Sequence, residues 1–392
     1  MSDPSPTPER EGVPGFDIVS PAAIAAGDAT DAYFDRTEEA LAYADRNPRV
    51  VAEVTADQFP TGSFELFAGL KDAARLLEGL PIDVDALPEG TLFDSGPVLQ
   101  IEGQYADFAR YETALLGFLS HATGVATAAL EARRAAPEAT LLSFGTRHVH
   151  PSIAAMVERS ALLAGLDGFS NVAAGEVLDR SAGGTMPHAL LICFGRGNQE
   201  AAWEAFDAAV DASVPRVALV DTYSDEVDES LRAAATLGDR LESVRIDTTS
   251  SRRGDLRHIV REVRWELETR GREDIDVFVS GGLGPSAIGS LRDVADGFGV
   301  GGYVSNADPA DFALDIVEVD GEPAAKRGKL SGRKQVYRTP DGGHHVGRAE
   351  RDGPQDGEPL LEPLLRDGDR VRDWGLDDAI DQAARDAELV FD

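Results

Sequence analysis

The chain has 392 residues, enough for two or three domains, and 42% of them are apolar, which excludes wholesale disorder. Acidic residues outnumber basic ones 70 to 37, giving a net charge of −33, and only Lys71, Lys326, Lys329 and Lys334 are lysines. That balance excludes nucleic acid and anionic membranes as natural partners, and the even spread of acids reads as solubility in a salt-rich, halophilic cytoplasm.

The Pro-rich start, residues 1–16, reads as a frayed tail and not a signal peptide. No run of about 18 apolar residues suggests a membrane span. Cys193 is the only cysteine, so an intrachain disulfide or a cysteine-built zinc site is impossible. Its setting, "ALLICFG", reads as core, and a reducing cytoplasm is the simple fit.

Residues 17–136 mix strand and helix without regular alternation, which predicts an α+β domain. "RVVAEVTADQF" and "TLFDSGPVLQIEG" read as strands; "SFELFAGLKDAARLLEGL" and "FARYETALLGFLSHATGVATAALEARRAA" read as helices. In the second of these, Tyr111, Leu115, Phe118 and Leu119 share one face.

From 137 to 322 short apolar segments alternate with amphipathic ones. "ATLLSF", "HALLICF", "RVALVD", "LESVRID", "IDVFVS" and "VGGYVSN" are the predicted strands. Between them lie helical patterns such as "GDLRHIVREVRWELETRG", in which Leu256, Ile259, Val260, Val263 and Leu267 form one stripe. Repeated βα units imply a parallel sheet, and their number favours a compact, irregular α/β barrel over an open Rossmann sheet. Residues 323–392 open with the basic cluster "KRGKLSGRKQVYR". They continue through a Gly/Asp-rich linker to a helical end, and read as a small C-terminal appendage packing back on the first domain.

Ligands in parallel βα architectures bind at the carboxyl ends of the strands. The residues there are Arg147 and His148, His188 in "GGTMPHALL", Asp221 and Tyr223, Arg245 and Asp247, Ser280 with Gly281 and Gly282, and Gly301 with Gly302. Two glycine turns in consecutive terminal units suit a phosphate, because glycine lets backbone N–H groups approach its oxygens. Arg245 and Asp247 stand two residues apart and point the same way. They form either a salt bridge plugging the barrel mouth, or a pocket for an anion and a sugar or Mg²⁺-diphosphate. His188 reads as either a hydrogen-bonded core histidine or part of a shaped loop, and Asp221 as either a helix-capping acid or a site carboxylate.

Taken in order, "DATDAYFDRT", "FGTRH", "FSNVAAGEVL", "GGTMPHALL", "VDTYSDE", "VRIDTTSSRRGDLR" and "SGGLGPSAI" resemble the nicotinate phosphoribosyltransferases of archaeal type, over about Asp31 to Arg338. The resemblance implies an irregular barrel of the type II phosphoribosyltransferase kind with an N-terminal α+β domain. It implies a homodimer or higher homo-oligomer with a shared active site. The implied reaction joins nicotinate to phosphoribosyl pyrophosphate, giving nicotinate mononucleotide and pyrophosphate in NAD salvage, coupled to ATP through a phosphorylated His188. Arg147 and Arg245 would take the nicotinate carboxylate and nearby phosphates. Asp247 and Asp221 would hold ribose and Mg²⁺-diphosphate, with Asp221 at the metal. Ser280, Gly281, Gly282, Gly301 and Gly302 would cradle the 5′-phosphate, and Tyr33 would stack on the pyridine ring from a neighbouring subunit. Where some relatives carry a cysteine-bearing zinc knuckle, this chain offers only His344 and His345. Two alternatives are a quinolinate phosphoribosyltransferase, disfavoured by the absence of lysine between Lys71 and Lys326, and a non-catalytic nicotinate mononucleotide sensor, which need not keep His188, Arg147 and Asp247 together.

Overall fold

The structure is a computed structural model describing residues 16–56, 64–251, 254–339, 342–349, 357–373 and 375–391. The expected N-terminal tail, except Phe16, and part of the expected acidic linker lie outside the described residues.

Two sheets organise the chain. The first has seven strands, with Arg49–Ala56 paired antiparallel to Phe312–Val319 on one side and to Pro97–Gln104 on the other. Ile82–Ala86 and Glu362–Arg366 continue it. The strand Phe312–Val319 therefore leaves the stretch expected for the barrel and completes the N-terminal sheet, and Glu362–Arg366 extends it from the far end of the chain. The register sets Glu53 opposite Asp315, two like charges with little solvent around them. The basic cluster resolves the conflict. Lys334 Nζ lies 2.7 Å from Glu53, and Lys326 and Lys329 lie 2.6 and 3.1 Å from Asp315. Three of the four lysines in the chain thus neutralise two buried carboxylates.

The predicted helix at "SFELFAGLKDAARLLEGL" is shorter than expected. Glu65–Leu66 forms a two-residue strand with Leu92–Phe93, and the helix covers Leu70–Leu77. Gly69, at φ +91, begins it in a left-handed conformation that disfavours any side chain. The long helix Glu112–Ala135 joins the two halves. Leu115 and Leu119 pack into the core of the first sheet, whereas Ala122, Ala126, Ala129 and Ala132 pack into the barrel core. Residues 105–135 are long and apolar enough to cross a membrane, but 61% of their most apolar window is buried inside this fold.

The second sheet has six strands, all parallel. Their spatial order is Gly168–Phe169, Thr140–Ser143, Gly297–Val300, Asp276–Ser280, Ser243–Ile246 and Val217–Leu219. The two outer strands do not pair with each other, so the barrel is half open. The second of the six strands expected from the sequence, "HALLICF", is instead the helix His188–Phe194. Its residues explain this: Ala189, Leu190 and Leu191 favour helix, Ile192 is the one β-branched residue, and Gly195 ends the turn at φ +90. Cys193 sits on the outer face of this helix and is exposed, which corrects its expected place in the core.

Candidate functional site

The strands Thr140–Ser143, Ser243–Ile246, Asp276–Ser280 and Gly297–Val300 end on one rim and deliver their following residues into a single cleft of about 730 Å³. Arg147, His188, Arg245, Asp247, Ser280, Gly281, Gly282, Gly301 and Gly302 all line it, although the first and last are separated by more than 150 positions.

Arg245 is the hub of its floor. Its Nε donates to Ser280 Oγ at 2.9 Å, one Nη donates to Asp247 at 2.7 Å and the other to Thr185. Its guanidinium also stacks 5.2 Å from the centre of the Phe144 ring. Every donor edge is thereby oriented, and the cation stays in the cleft with Asp247 as its partner. Phe144 fits because Gly299 beneath it has no side chain; a Cβ there would come within 2.5 Å of the ring.

The opposite wall is backbone. Gly281 and Gly282 hold φ +94 and +68, two left-handed residues in succession. Gly301 and Gly302, which follow the neighbouring strand, line the same cleft, and Gly145 packs so closely against this turn that a Cβ would meet Ser305 at 2.6 Å and the Gly301 carbonyl at 2.8 Å. Arg147 and His148 stand exposed at the mouth, with Arg147 Nε 3.1 Å from His148 Nε2.

His188 begins its helix at the cleft edge. Its Nε2 lies 2.8 Å from Asp221 Oδ1, and that hydrogen bond is the largest of the effects that raise the imidazole pKa above its ordinary value, against the opposing pull of burial. A carboxylate can only accept, so Nε2 carries the hydrogen, and in the neutral ring the lone pair is on Nδ1. Asp221 was expected at the metal. Its side chain is only 1% exposed, and its other oxygen accepts from the Asp247 backbone N–H at 2.7 Å and from Thr248 at 3.0 Å. Both oxygens are committed, so Asp221 stands behind His188 and joins it to the Arg245–Asp247 strand end. The loop is set by buried Glu229, which accepts from the N–H groups of Thr222, Tyr223 and Ser224 at 3.0, 2.8 and 2.7 Å; the helix cap is Asp225.

Among the described residues, no three or more His, Cys, Asp or Glu side chains converge as a metal cage. Mg²⁺ is ordinarily held by one or two carboxylates plus substrate phosphates. Asp247, in the lining and one-fifth exposed, fits that partial site; Asp221, almost fully buried, is not in the lining. Tyr33, on the helix Ala32–Tyr43, is 55% exposed and is not part of the cleft of this chain.

Sequence reading missed Phe144, Thr146 and Thr185. Phe144 directly follows a strand that the pattern had found, and Thr185 lies in the "GGTMPH" loop. Their signal was position beside named residues, not residue type. Glu229 carried no signal, because a helical Glu is ordinarily solvated.

Family models for the quinolinate phosphoribosyl transferase N-terminal and C-terminal domains match residues 31–123 and 125–315. The chain is 32% identical to nicotinate phosphoribosyltransferase pncB1 of Mycobacterium tuberculosis over 96% of its own length and 92% of the relative's. It is 34% identical to pncB2 of the same organism over 79% of this chain and 69% of that one. Among solved structures, it is similar to nicotinate-nucleotide pyrophosphorylase from Pyrococcus furiosus, with 47% identity, a TM-score of 0.93 and coverage of 96% and 99% of the two chains. It shares the fold of human nicotinic acid phosphoribosyltransferase at 21% identity and a TM-score of 0.73, covering 92% and 94%.

Proposed function

The chain belongs to the nicotinate phosphoribosyltransferase family, and from that premise we propose how its cleft joins nicotinate to phosphoribosyl pyrophosphate. The products are nicotinate mononucleotide and pyrophosphate. The observation that carries the reading is the pairing of a glycine-built anion wall with an arginine–carboxylate floor in one cleft, each half suited to one end of a phosphorylated pentose.

The 5′-phosphate sits against Gly281–Gly282 and Gly301–Gly302, where backbone N–H groups can approach its oxygens. Asp247 receives the ribose hydroxyls and the Mg²⁺ that travels with the diphosphate. When bound, Mg²⁺ neutralises charge on the departing pyrophosphate. The pyridine nitrogen attacks C1 as the C1–O bond breaks, and Arg245, fixed on three sides, stabilises the negative charge that develops nearby. Phe144 offers an aromatic face for the pyridine ring, and Arg147 at the mouth is the fork for its carboxylate.

ATP coupling runs through His188. With Nε2 held by Asp221, Nδ1 is the nitrogen that attacks the γ-phosphorus, forming an N–P bond as ADP leaves. The new anion lies one hydrogen-bonded residue from the Asp247 strand end, so it can reorder the loops that grip pyrophosphate.

A second copy of the chain completes the site. Tyr33 is exposed and away from the cleft of its own chain, while Ile192 and Phe194, on the helix that carries His188, leave apolar surface uncovered. In a homodimer or larger oligomer, Tyr33 would close the partner's cleft over the pyridine ring. A cytoplasmic location suits these substrates.

The runner-up substrate is quinolinate, which the domain models keep in view. Among the described residues, the arginines lining the cleft are Arg147 and Arg245, no lysine lines it, and Arg245 is already paired with Asp247. That set suits a monocarboxylate better than two adjacent carboxylates. A nicotinate-nucleotide pyrophosphorylase, as the Pyrococcus relative is called, traverses the same bond in reverse. The test is purified protein with phosphoribosyl pyrophosphate and Mg²⁺, offered nicotinate, nicotinamide or quinolinate, each with and without ATP. Turnover of nicotinate, raised by ATP, is expected; product from quinolinate alone would overturn the assignment.

A further inference from the structure

The strands Asp276–Ser280 and Gly297–Val300 are held in register as far as the pair Ser280 and Gly299. The two glycine turns of the cleft lie just beyond that pair, past the last rung of the ladder. A wall built from backbone N–H groups has no side chains to adjust, so its geometry depends on what holds the turns apart.

Tyr303 spans the gap. It directly follows Gly301 and Gly302, and its ring lies against Gly284 at the end of the other turn, where a Cβ would meet three ring atoms at 3.2, 3.6 and 3.7 Å. Its hydroxyl donates to Glu131 on the long helix Glu112–Ala135. Burial, and then that carboxylate, raise the phenol pKa, so the hydroxyl stays a donor. The same long helix backs both turns, because the helices Pro285–Leu291 and Gly302–Ser305 pack on it. Gly124 allows the close approach, since a Cβ there would meet the Asp308 carbonyl oxygen at 2.1 Å. Glu131 is not in the lining of the cleft. It lines an adjoining cavity of about 500 Å³, and Tyr303 lines both.

We propose that Tyr303 is a strut that sets the spacing of the two glycine turns, and that Glu131 is the positioning residue that holds the strut by its hydroxyl. Its consequence for binding rests on the reading of these turns as the 5′-phosphate cradle. Loosening the strut weakens ground-state and transition-state binding alike, so it raises KM for phosphoribosyl pyrophosphate and spares kcat. Charge alone predicts the opposite sign for Glu131, because removing a carboxylate near an anion site should tighten binding.

The experiment compares Glu131→Leu, Glu131→Gln, Tyr303→Phe and Tyr303→Ala with the parent enzyme. It measures KM for phosphoribosyl pyrophosphate at saturating nicotinate, and Kd for ribose 5-phosphate by calorimetry, which reads the cradle without the diphosphate. Glu131→Leu and Tyr303→Phe should each weaken both constants by about 3- to 10-fold, with kcat changed by less than about 2-fold. Combining them should cost little more than either alone, because both break one linkage. Glu131→Gln keeps an acceptor oxygen and should stay within about 2-fold of the parent. Tyr303→Ala, which removes the ring as well, should weaken both by about 10- to 100-fold. Parental or tighter binding in a folded Glu131→Leu would overturn the proposal. If that variant fails to fold, parental constants in Tyr303→Phe overturn it in its place. A parent that binds neither sugar phosphate would sink the reading of the cleft and the strut's role with it, whereas a parent that binds while the variants match it sinks the strut alone.

Discussion

The two sheets handle charge in opposite ways. In the antiparallel sheet, charges sit in mid-strand and are cancelled on the spot. Glu53 and Asp315 face each other across paired strands, and Lys334, Lys326 and Lys329 reach over to neutralise them. In the parallel sheet, strands such as Gly297–Val300 are buried throughout, and charge lies at or beside the strand ends. There the groups are oriented but not used up: Arg245 keeps its guanidinium in the cleft and His188 keeps one free nitrogen. Charge cancelled within a sheet stabilises a domain, whereas charge held ready at a rim does chemistry.

The largest effect should come from breaking a cancelled pair. Glu89, fully buried, binds Arg159 through two hydrogen bonds and also accepts from the Gly69 N–H at 2.8 Å. Glu89→Ala strands a buried guanidinium and should lower unfolding free energy by about 3–5 kcal/mol, read from the urea midpoint. A loss under about 1 kcal/mol would mean that water reaches Arg159.

Breaking the rim should do the reverse. Arg245→Ala should cut kcat/KM for nicotinate by about 10²–10³-fold while the far-ultraviolet dichroism stays native. A variant with full rate would remove Arg245 from the anion floor and, with it, the contrast between the sheets.

A smaller effect belongs to His188. His188→Ala should abolish the gain from ATP and leave ATP-independent turnover within about tenfold of the parent, as expected for a group that acts in coupling and not at C1. Unchanged coupling would point to another phosphoryl acceptor.

The subtlest effect is a pH shift. Asp221 raises the His188 pKa, so the ring keeps its second proton to higher pH than a free imidazole would. Nδ1 can attack only after that proton leaves, so ATP-coupled turnover should fall as pH drops through the raised pKa. Asp221→Asn removes the raising charge and should move that acid limb to lower pH. A limb that stays in place would assign it to a different group.

The rim was legible in the sequence because parallel strands announce themselves as short apolar runs, and ligands bind at the residues just after each run. Arg147, Arg245, Asp247 and the two glycine pairs were found in this way, and the structure brings them into one cleft. The helix at His188–Phe194 was misread because a seven-residue apolar run has no period that separates strand from buried helix. The return of Phe312–Val319 to pair with Arg49–Ala56 was invisible because that pairing spans more than 250 positions and leaves no local mark. What surrounds Asp221 was hidden for a similar reason. Its residue type suits a metal, but its hydrogen-bond partners lie 26 to 33 positions away and only the fold reveals them. The lysines were seen as a basic cluster, but the two carboxylates that they neutralise sit on strands from distant parts of the chain.

A crystal structure of the protein with nicotinate mononucleotide tests the central claim most directly. The account predicts the 5′-phosphate between Gly281–Gly282 and Gly301–Gly302, ribose hydroxyls on Asp247, and the pyridine carboxylate toward Arg147. Nucleotide bound outside this cleft, or reversed within it with the phosphate on Arg147, would contradict the account.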